Sequence, residues 1–218
     1  MELVIGNKNY SSWSLRGWLM LKWFDLPFTE VKLLLDTDNF KKDIARYSSA
    51  GKVPVLVDGD LNVWDSLAIG EYLNDAYLQG RGWPSDVADR ALARAISCEM
   101  HSGFFNLRRE MPMNCRAVRE LTVSDACSTE IARIDSLWAS LRQRFASKGD
   151  WLFGERSIAD AMYAPVALRF HTYQTTLSEA SKAYVHTVLN DASIAQWMQD
   201  AQAELQVLDA EEKGTPVD

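Results

Sequence analysis

Ser11, Ser12 and Ser14 crowd into the run Asn9-Tyr10-Ser11-Ser12-Trp13-Ser14-Leu15-Arg16, between a short apolar stretch and a helical one. Leu3-Val4-Ile5-Gly6 reads as a strand, and Trp18, Leu19, Leu21, Lys22 and Trp23 read as a helix. The serines therefore fall at the first turn of a helix that leaves a strand end. Unpaired N–H groups and a partial positive charge make such a helix start favourable for an anion. A hydroxyl there can donate to that anion. It can equally do no more than cap the helix, which is the commonest role of serine at this position.

The elements around these serines are legible from periodicity. Phe28 to Leu35 reads as a second strand, although its leucine run could equally start a helix, and a short helix is expected around Phe40–Ile44. Val53-Pro54-Val55-Leu56-Val57 and Leu61-Asn62-Val63-Trp64 flank Asp58-Gly59-Asp60, the strongest hairpin signal in the chain. Asp65-Ser66 then opens a helix with Leu67, Ile69, Tyr72 and Leu73 on one stripe. The order is β-α-β-α-β-β-α. Gly80-Arg81-Gly82-Trp83-Pro84-Ser85 interrupts the periodicity and marks a boundary. Beyond it the pattern is helical, with no strand expected. One pattern runs from Asp86 to Glu110 and breaks near Met111-Pro112, and another runs from Ser124 to Ser147. Ser157-Ile158-Ala159-Asp160 opens a third helix as a capping-box variant, and Pro165 inside it should kink it or start a new turn. Two more helices are expected over 178–189 and 193–205. The expected organisation is an α/β domain over 1–80, an all-helical domain over 86–208, and an acidic tail over 209–218 that frays.

Composition narrows the function. The chain has 218 residues, 47% hydrophobic and 24% charged, which suits a globular protein with a proper core. A formal charge of −7 argues against a nucleic-acid-binding surface. Cys98, Cys115 and Cys127 form no C-x-x-C and no metal-ligand spacing, so no metal is expected, and they read as reduced thiols of a cytoplasmic protein. The Met1-Glu2-Leu3 start lacks the features of a signal peptide, and no apolar run approaches a membrane span.

Taken together, the serine turn, Val53-Pro54, Asp65-Ser66-Leu67-Ala68-Ile69 and Ser157-Ile158-Ala159-Asp160 resemble, in order and spacing, the soluble glutathione transferases. The resemblance covers nearly the whole chain. It implies an α/β plus all-α architecture: a thioredoxin-like N-terminal domain followed by an all-helical C-terminal domain. Ser11 to Arg16 is similar to the S-S-C-S-W-R stretch of the zeta class, the class of maleylacetoacetate isomerase. The cosubstrate implied is glutathione, whose two carboxylates and thiol need anion donors and a thiolate stabiliser. Val53, before a proline expected to be cis, would pair its backbone with the cysteinyl unit. Ser66 would receive the γ-glutamyl carboxylate and Asp65 the ammonium, unless both simply cap. Lys52 and Asn39 fall where the family often meets the glycyl end, although Lys52 reads equally as a solvated charge.

The thiolate sets the energetic demand. A free thiol titrates near ~8.5. Lowering it by about two units takes roughly 2.7 kcal/mol, and a hydroxyl bond to a charged sulfur supplies roughly 1.5–3 kcal/mol. The helix start adds up to about 2 kcal/mol more. Ser11 is the first candidate donor, matching the first serine of the zeta stretch; Ser12 is the next and Ser14 the third. Tyr10 is an alternative donor or a wall of the pocket. No cysteine precedes Cys98, so cysteine-based redox chemistry is not expected at this turn.

Departures from the zeta pattern bear on the electrophile. Trp13 replaces a cysteine and puts bulk against glutathione at the mouth of the site, and Leu15 replaces a tryptophan. The zeta arginine that meets a substrate carboxylate has no match at the same distance from Asp160. Arg169 lies about one turn earlier and reads either as facing the cleft or, preferably, as an exposed helix charge. His101, Arg108, Arg109 and Asn114 are candidates for an anionic pocket. The bland alternative makes His101 structural and pairs the arginines with Glu110 or a partner subunit. The helical domain is otherwise expected to offer an apolar pocket. Glutathione addition to a small electrophile is the first reading, with isomerisation of a maleyl-type acid and non-catalytic binding as alternatives. A homodimer is implied by the resemblance.

Overall fold

In the computed structural model, which describes residues 1–217, the central strand is β1 (Glu2–Ile5). β2 (Thr29–Lys32) pairs parallel to it, β3 (Val55–Asp58) antiparallel on the other side, and β4 (Leu61–Trp64) closes the hairpin. The strand order is β2-β1-β3-β4. Leu3, Val4 and Ile5 are fully buried, as expected of a central strand covered on both faces. The helices of this domain are α1 (Ser12–Trp23), α2 (Phe40–Ile44) and α3 (Ser66–Ala76). This is the expected thioredoxin-like arrangement.

The rest is mostly helical: α4 (Val87–Ser102), α5 (Phe105–Glu110), α6 (Asp125–Phe145), α7 (Ile158–Thr172), α8 (Glu179–Leu189) and α9 (Ala192–Gln202). α7 is buried on nearly every side and packs against α1, α4 and α8, so it has no polar stripe. The helix runs through Pro165 without ending, because its neighbours hold it on several sides. One apolar core runs from Leu3 and Trp18 through Met100 and Trp138 to Trp197, joining both halves of the chain. α1 and α7 are thereby fixed against each other, and each carries residues of the site described below.

Three expectations are corrected. The helical pattern over 86–110 breaks at Gly103-Phe104 before it reaches Met111-Pro112. Phe104 takes a left-handed φ of 57° and buries its ring, while a side chain at Gly103 would strike the Glu99 carbonyl. A short antiparallel pair, β5 (Arg119–Glu120) with β6 (Thr215–Pro216), stands where no strand was expected. Two-residue strands carry no periodicity to read. The tail does not fray over its described part: Asp209–Glu211 form a 3₁₀ turn and β6 follows, while Asp218 lies outside the described residues.

Candidate active site

Ser11 is the N-cap of α1 and its hydroxyl is 2.7 Å from that of Ser14, which also accepts the Gly6 amide. Ser12, one position on, points its hydroxyl to a different partner. It accepts an N–H from Arg169 of α7 at 3.1 Å. Arg169 is 3% exposed and also donates to the Met111 carbonyl at 2.8 Å, so the expected exposed helix charge is instead built into the domain junction. An apolar helix face flanks that position in the sequence, and nothing local shows that α1 stands opposite.

The start of α3 opens on the same cleft. Asp65 holds a φ of 75°, costly for a residue with a side chain, and caps the Leu67 and Ala68 amides at 2.9 and 3.2 Å. Its second oxygen meets His101 Nε2 at 3.0 Å. Ser66 is fully buried and its hydroxyl has no partner among the described residues. A buried hydroxyl without a partner is costly, and its place at a helix start suits a carboxylate. The Val53-Pro54 peptide bond is cis. The cleft has a volume of about 810 Å³. On its N-terminal-domain side, Ser11, Ser12, Lys52, Val53, Asp65 and Ser66 face it together.

The helical side brings His101, Arg108, Arg169 and Glu211 to the cleft. All four are ionisable, so the expected apolar pocket is replaced by a charged wall. Trp13 lies at its edge. Two guanidiniums stack on its ring, Arg16 at 4.4 Å and Arg108 at 4.7 Å, and His101 meets it edge-on at 5.2 Å. Arg108 also donates to the carbonyls of Met100 and Gly103 at the C-terminal end of α4. Tyr10 reaches the cleft, but its hydroxyl is engaged with Glu212 at 2.6 Å and accepts from Arg116 at 2.8 Å.

Three sequence candidates fall outside. Arg109 points to Asn106 and Glu110 on the exposed face of α5, since a helix turns adjacent residues about 100° apart. Asn39 is exposed ahead of α2 and does not line the cleft. Asn114 stays buried behind the turn, holding Asn9 at 3.0 Å and Glu212 at 2.9 Å. Arg16 and Glu211 were not singled out from sequence. Arg16 carried a signal, being a cation inside an otherwise apolar helix face.

Arg16, Arg108 and Arg169 form no ion pair among the described residues. Burial lowers the affinity of all three for a proton, and repulsion from neighbouring guanidiniums adds to it at two of them: well below the ordinary value for Arg16, and to about 10 for Arg169. Stacking on an aromatic ring returns about 2 kcal/mol for a desolvated cation. Burying an unpaired charge costs several kcal/mol, so stacking offsets only part of it. His101 is held below its usual value by burial first, with Asp65 opposing and Arg16 and Arg108 reinforcing.

A thioredoxin-like domain whose α1 and α3 helix starts share one cleft, closed by a helical wall, is the glutathione transferase fold. The chain is similar to glutathione transferases, zeta-class members among them. The family model for the glutathione S-transferase N-terminal domain matches residues 10–76. Glutathione S-transferase Z2 of Arabidopsis thaliana is 29% identical over 170 residues, 72% of this chain and 74% of that protein. Dichloromethane dehalogenase of Methylorubrum extorquens is 38% identical over 61 residues, and this match spans 27% of the chain but only 21% of the dehalogenase. The crystal structure of a glutathione transferase homologue from Burkholderia gl BGR1, with bound glutathione, superposes with a TM-score of 0.72 at 21% identity, covering 93% of this chain and 98% of that one. The orphaned Ser66 hydroxyl and the donors around it fit glutathione as the cosubstrate. Among the described residues, no cluster of metal-binding side chains occurs and no helix is long and apolar enough to cross a membrane.

Proposed function

We propose that this protein is a glutathione transferase in which serine hydroxyls at the start of α1 stabilise the glutathione thiolate for attack on a small electrophile. The observation that carries this reading is the opening of two helix starts on one cleft, α1 with Ser11 and Ser12 and α3 with the unpartnered Ser66. Ser66 receives the γ-glutamyl carboxylate through its hydroxyl and its own backbone N–H, Asp65 the ammonium, and Val53 the peptide backbone; Lys52 lies towards the glycyl end. Glutathione supplies the nucleophilic sulfur.

Ser12 is favoured over Ser11 as the thiolate donor. The Ser11 hydroxyl lies against Ser14 as part of the cap, whereas Ser12 accepts from Arg169 and so keeps its own proton free to donate. The nearby guanidinium charge favours the anion as well. Homodimerisation remains part of the proposal, to be read from the mass in solution.

The test is the ultraviolet absorbance of the thiolate in the protein–glutathione complex, titrated with pH. A bound thiol ionising about two units below its free value is expected. Absence of glutathione binding at millimolar concentration overturns the reading. Turnover of maleylacetone without net loss of glutathione would place the reaction among isomerisations.

A further inference from the structure

Asp65 sits at the seam of the two domains, and its carboxylate is held from both sides. At a φ of 75° its backbone is strained, a conformation that persists only where surrounding contacts enforce it. One carboxylate oxygen, Oδ1, accepts the amides of Leu67 and Ala68 in its own helix at 2.9 and 3.2 Å. The other, Oδ2, lies 3.0 Å from Nε2 of His101, which reaches it from the last turn of α4 in the helical domain. A carboxylate has about four acceptor sites. Among the described residues Oδ1 uses two and Oδ2 one, so a single site on Oδ2 stays free. The Asp65 side chain is 40% exposed and both residues line the cleft, so that site is open to a ligand.

The His101 ring is fixed and its proton is placed. Trp13 meets the ring edge-on at 5.2 Å. Asp65 as a carboxylate only accepts, so Nε2 carries the proton. Nδ1 is buried with no partner among the described residues, and a second proton there would leave an N–H unpaired. Burial first, then the like charges of Arg16 on α1 and Arg108 on α5, disfavour a positive ring against the pull of Asp65. The ring therefore donates while neutral, and Asp65 keeps its full negative charge for a cation. A charged ring would neutralise it.

Resting on the glutathione reading, we infer that His101 is a positioning residue for the γ-glutamyl ammonium. Its Nε2–H, supplied by the helical domain, holds Asp65 with the one free acceptor site of Oδ2 turned to the cleft. Recognition of the free amino group, the one cation of glutathione, thereby depends on the helical domain as well as on α3. The site selects thiol peptides that keep this amino group over those that lack it.

The probes are S-methylglutathione and its glutaryl analogue, which keeps both carboxylates and lacks only the ammonium, each titrated calorimetrically. Wild-type protein is expected to bind S-methylglutathione about tenfold more tightly than the analogue. H101A is expected to lose about five- to tenfold in affinity for S-methylglutathione and nothing for the analogue. H101Q, which keeps a donor, should hold both near wild type. In a D65N background H101A should change nothing further, which a double-mutant cycle reads directly. H101L fills the space without a donor and takes the place of H101A if alanine unfolds the protein. Equal losses for the two ligands overturn the proposal, because His101 then only supports the walls of the cleft. Unchanged S-methylglutathione affinity in H101A or H101L overturns it as well. Equal affinity of the wild type for the two ligands overturns the inference alone, whereas failure of S-methylglutathione to bind the wild type overturns the glutathione reading and the inference with it.

Discussion

The hydroxyl of Ser12 and the guanidinium of Arg169 meet at 3.1 Å although 157 positions separate them in the chain. One belongs to the thioredoxin-like domain and the other to the most buried helix of the helical part. This contact joins the proposed thiolate end of the glutathione site to the charged wall facing it. Replacing Ser12 by alanine removes a hydrogen bond to a charged sulfur, worth roughly 1.5–3 kcal/mol, or about ten- to a hundredfold in kcat/KM. The pKa of the bound thiol should rise by about one to two units. S11A should cost less, and equal losses in the two variants would show that the cap and the donor cannot be separated.

Ser66 offers a cleaner case. Its hydroxyl is buried and has no partner among the described residues, so S66A should leave the unfolding midpoint unchanged or slightly raised. Glutathione affinity, measured by calorimetry, should fall about tenfold for the loss of one charge-assisted hydrogen bond. A stable variant with wild-type affinity would remove Ser66 from the site.

His101 gives the protein an acid-side response. Burial holds its pKa below the ordinary value near ~6.5, so the folded state favours the neutral ring. The stability that this preference contributes is complete above the ordinary value and is lost as pH falls through the lowered one. H101Q keeps a side-chain amide that can donate to Asp65 and cannot take up a proton. Urea unfolding between pH 7 and pH 5 should therefore show a shallower acid decline in H101Q than in the wild type.

Asp160 tests the core. Its carboxylate accepts from the Leu152 and Ser157 amides at 3.0 and 2.9 Å and from the Tyr184 hydroxyl at 3.0 Å. D160A leaves these buried donors without an acceptor and should lower stability by about 2–4 kcal/mol in urea unfolding. The site residues are not in contact with it, so glutathione affinity of the folded fraction should be unchanged.

How much of this could be read from residues alone follows from where the determining contacts lie. The hairpin at Asp58-Gly59-Asp60 was legible because its turn residues carry their own conformational preference; Gly59 takes a φ of 60°. The caps at Ser11, Asp65 and Ser157 were legible for the same local reason. Arg169 was misread because its burial depends on α1 packing opposite it, a contact no window of sequence contains. Arg109 read either as a pocket residue or as a partner of Glu110, and the second holds, because the helix sends Arg108 and Arg109 to different faces. The break at Gly103-Phe104 was hidden inside a periodic pattern. Arg108 turns back across it to the carbonyls of Met100 and Gly103.

The last described residues have a practical consequence for handling the protein. Glu204 holds the Lys8 and Asn9 amides at 2.9 and 3.0 Å, Gln206 binds Asn7, and Glu212 binds Tyr10. The turn that presents the serines is therefore braced by residues that follow α9. An affinity tag fused after Asp218 would pull on that brace, whereas one placed before Met1 would load only the outer end of β1. Assays that compare the two fusions would read the strength of the brace directly, as a difference in activity between proteins whose catalytic residues are the same.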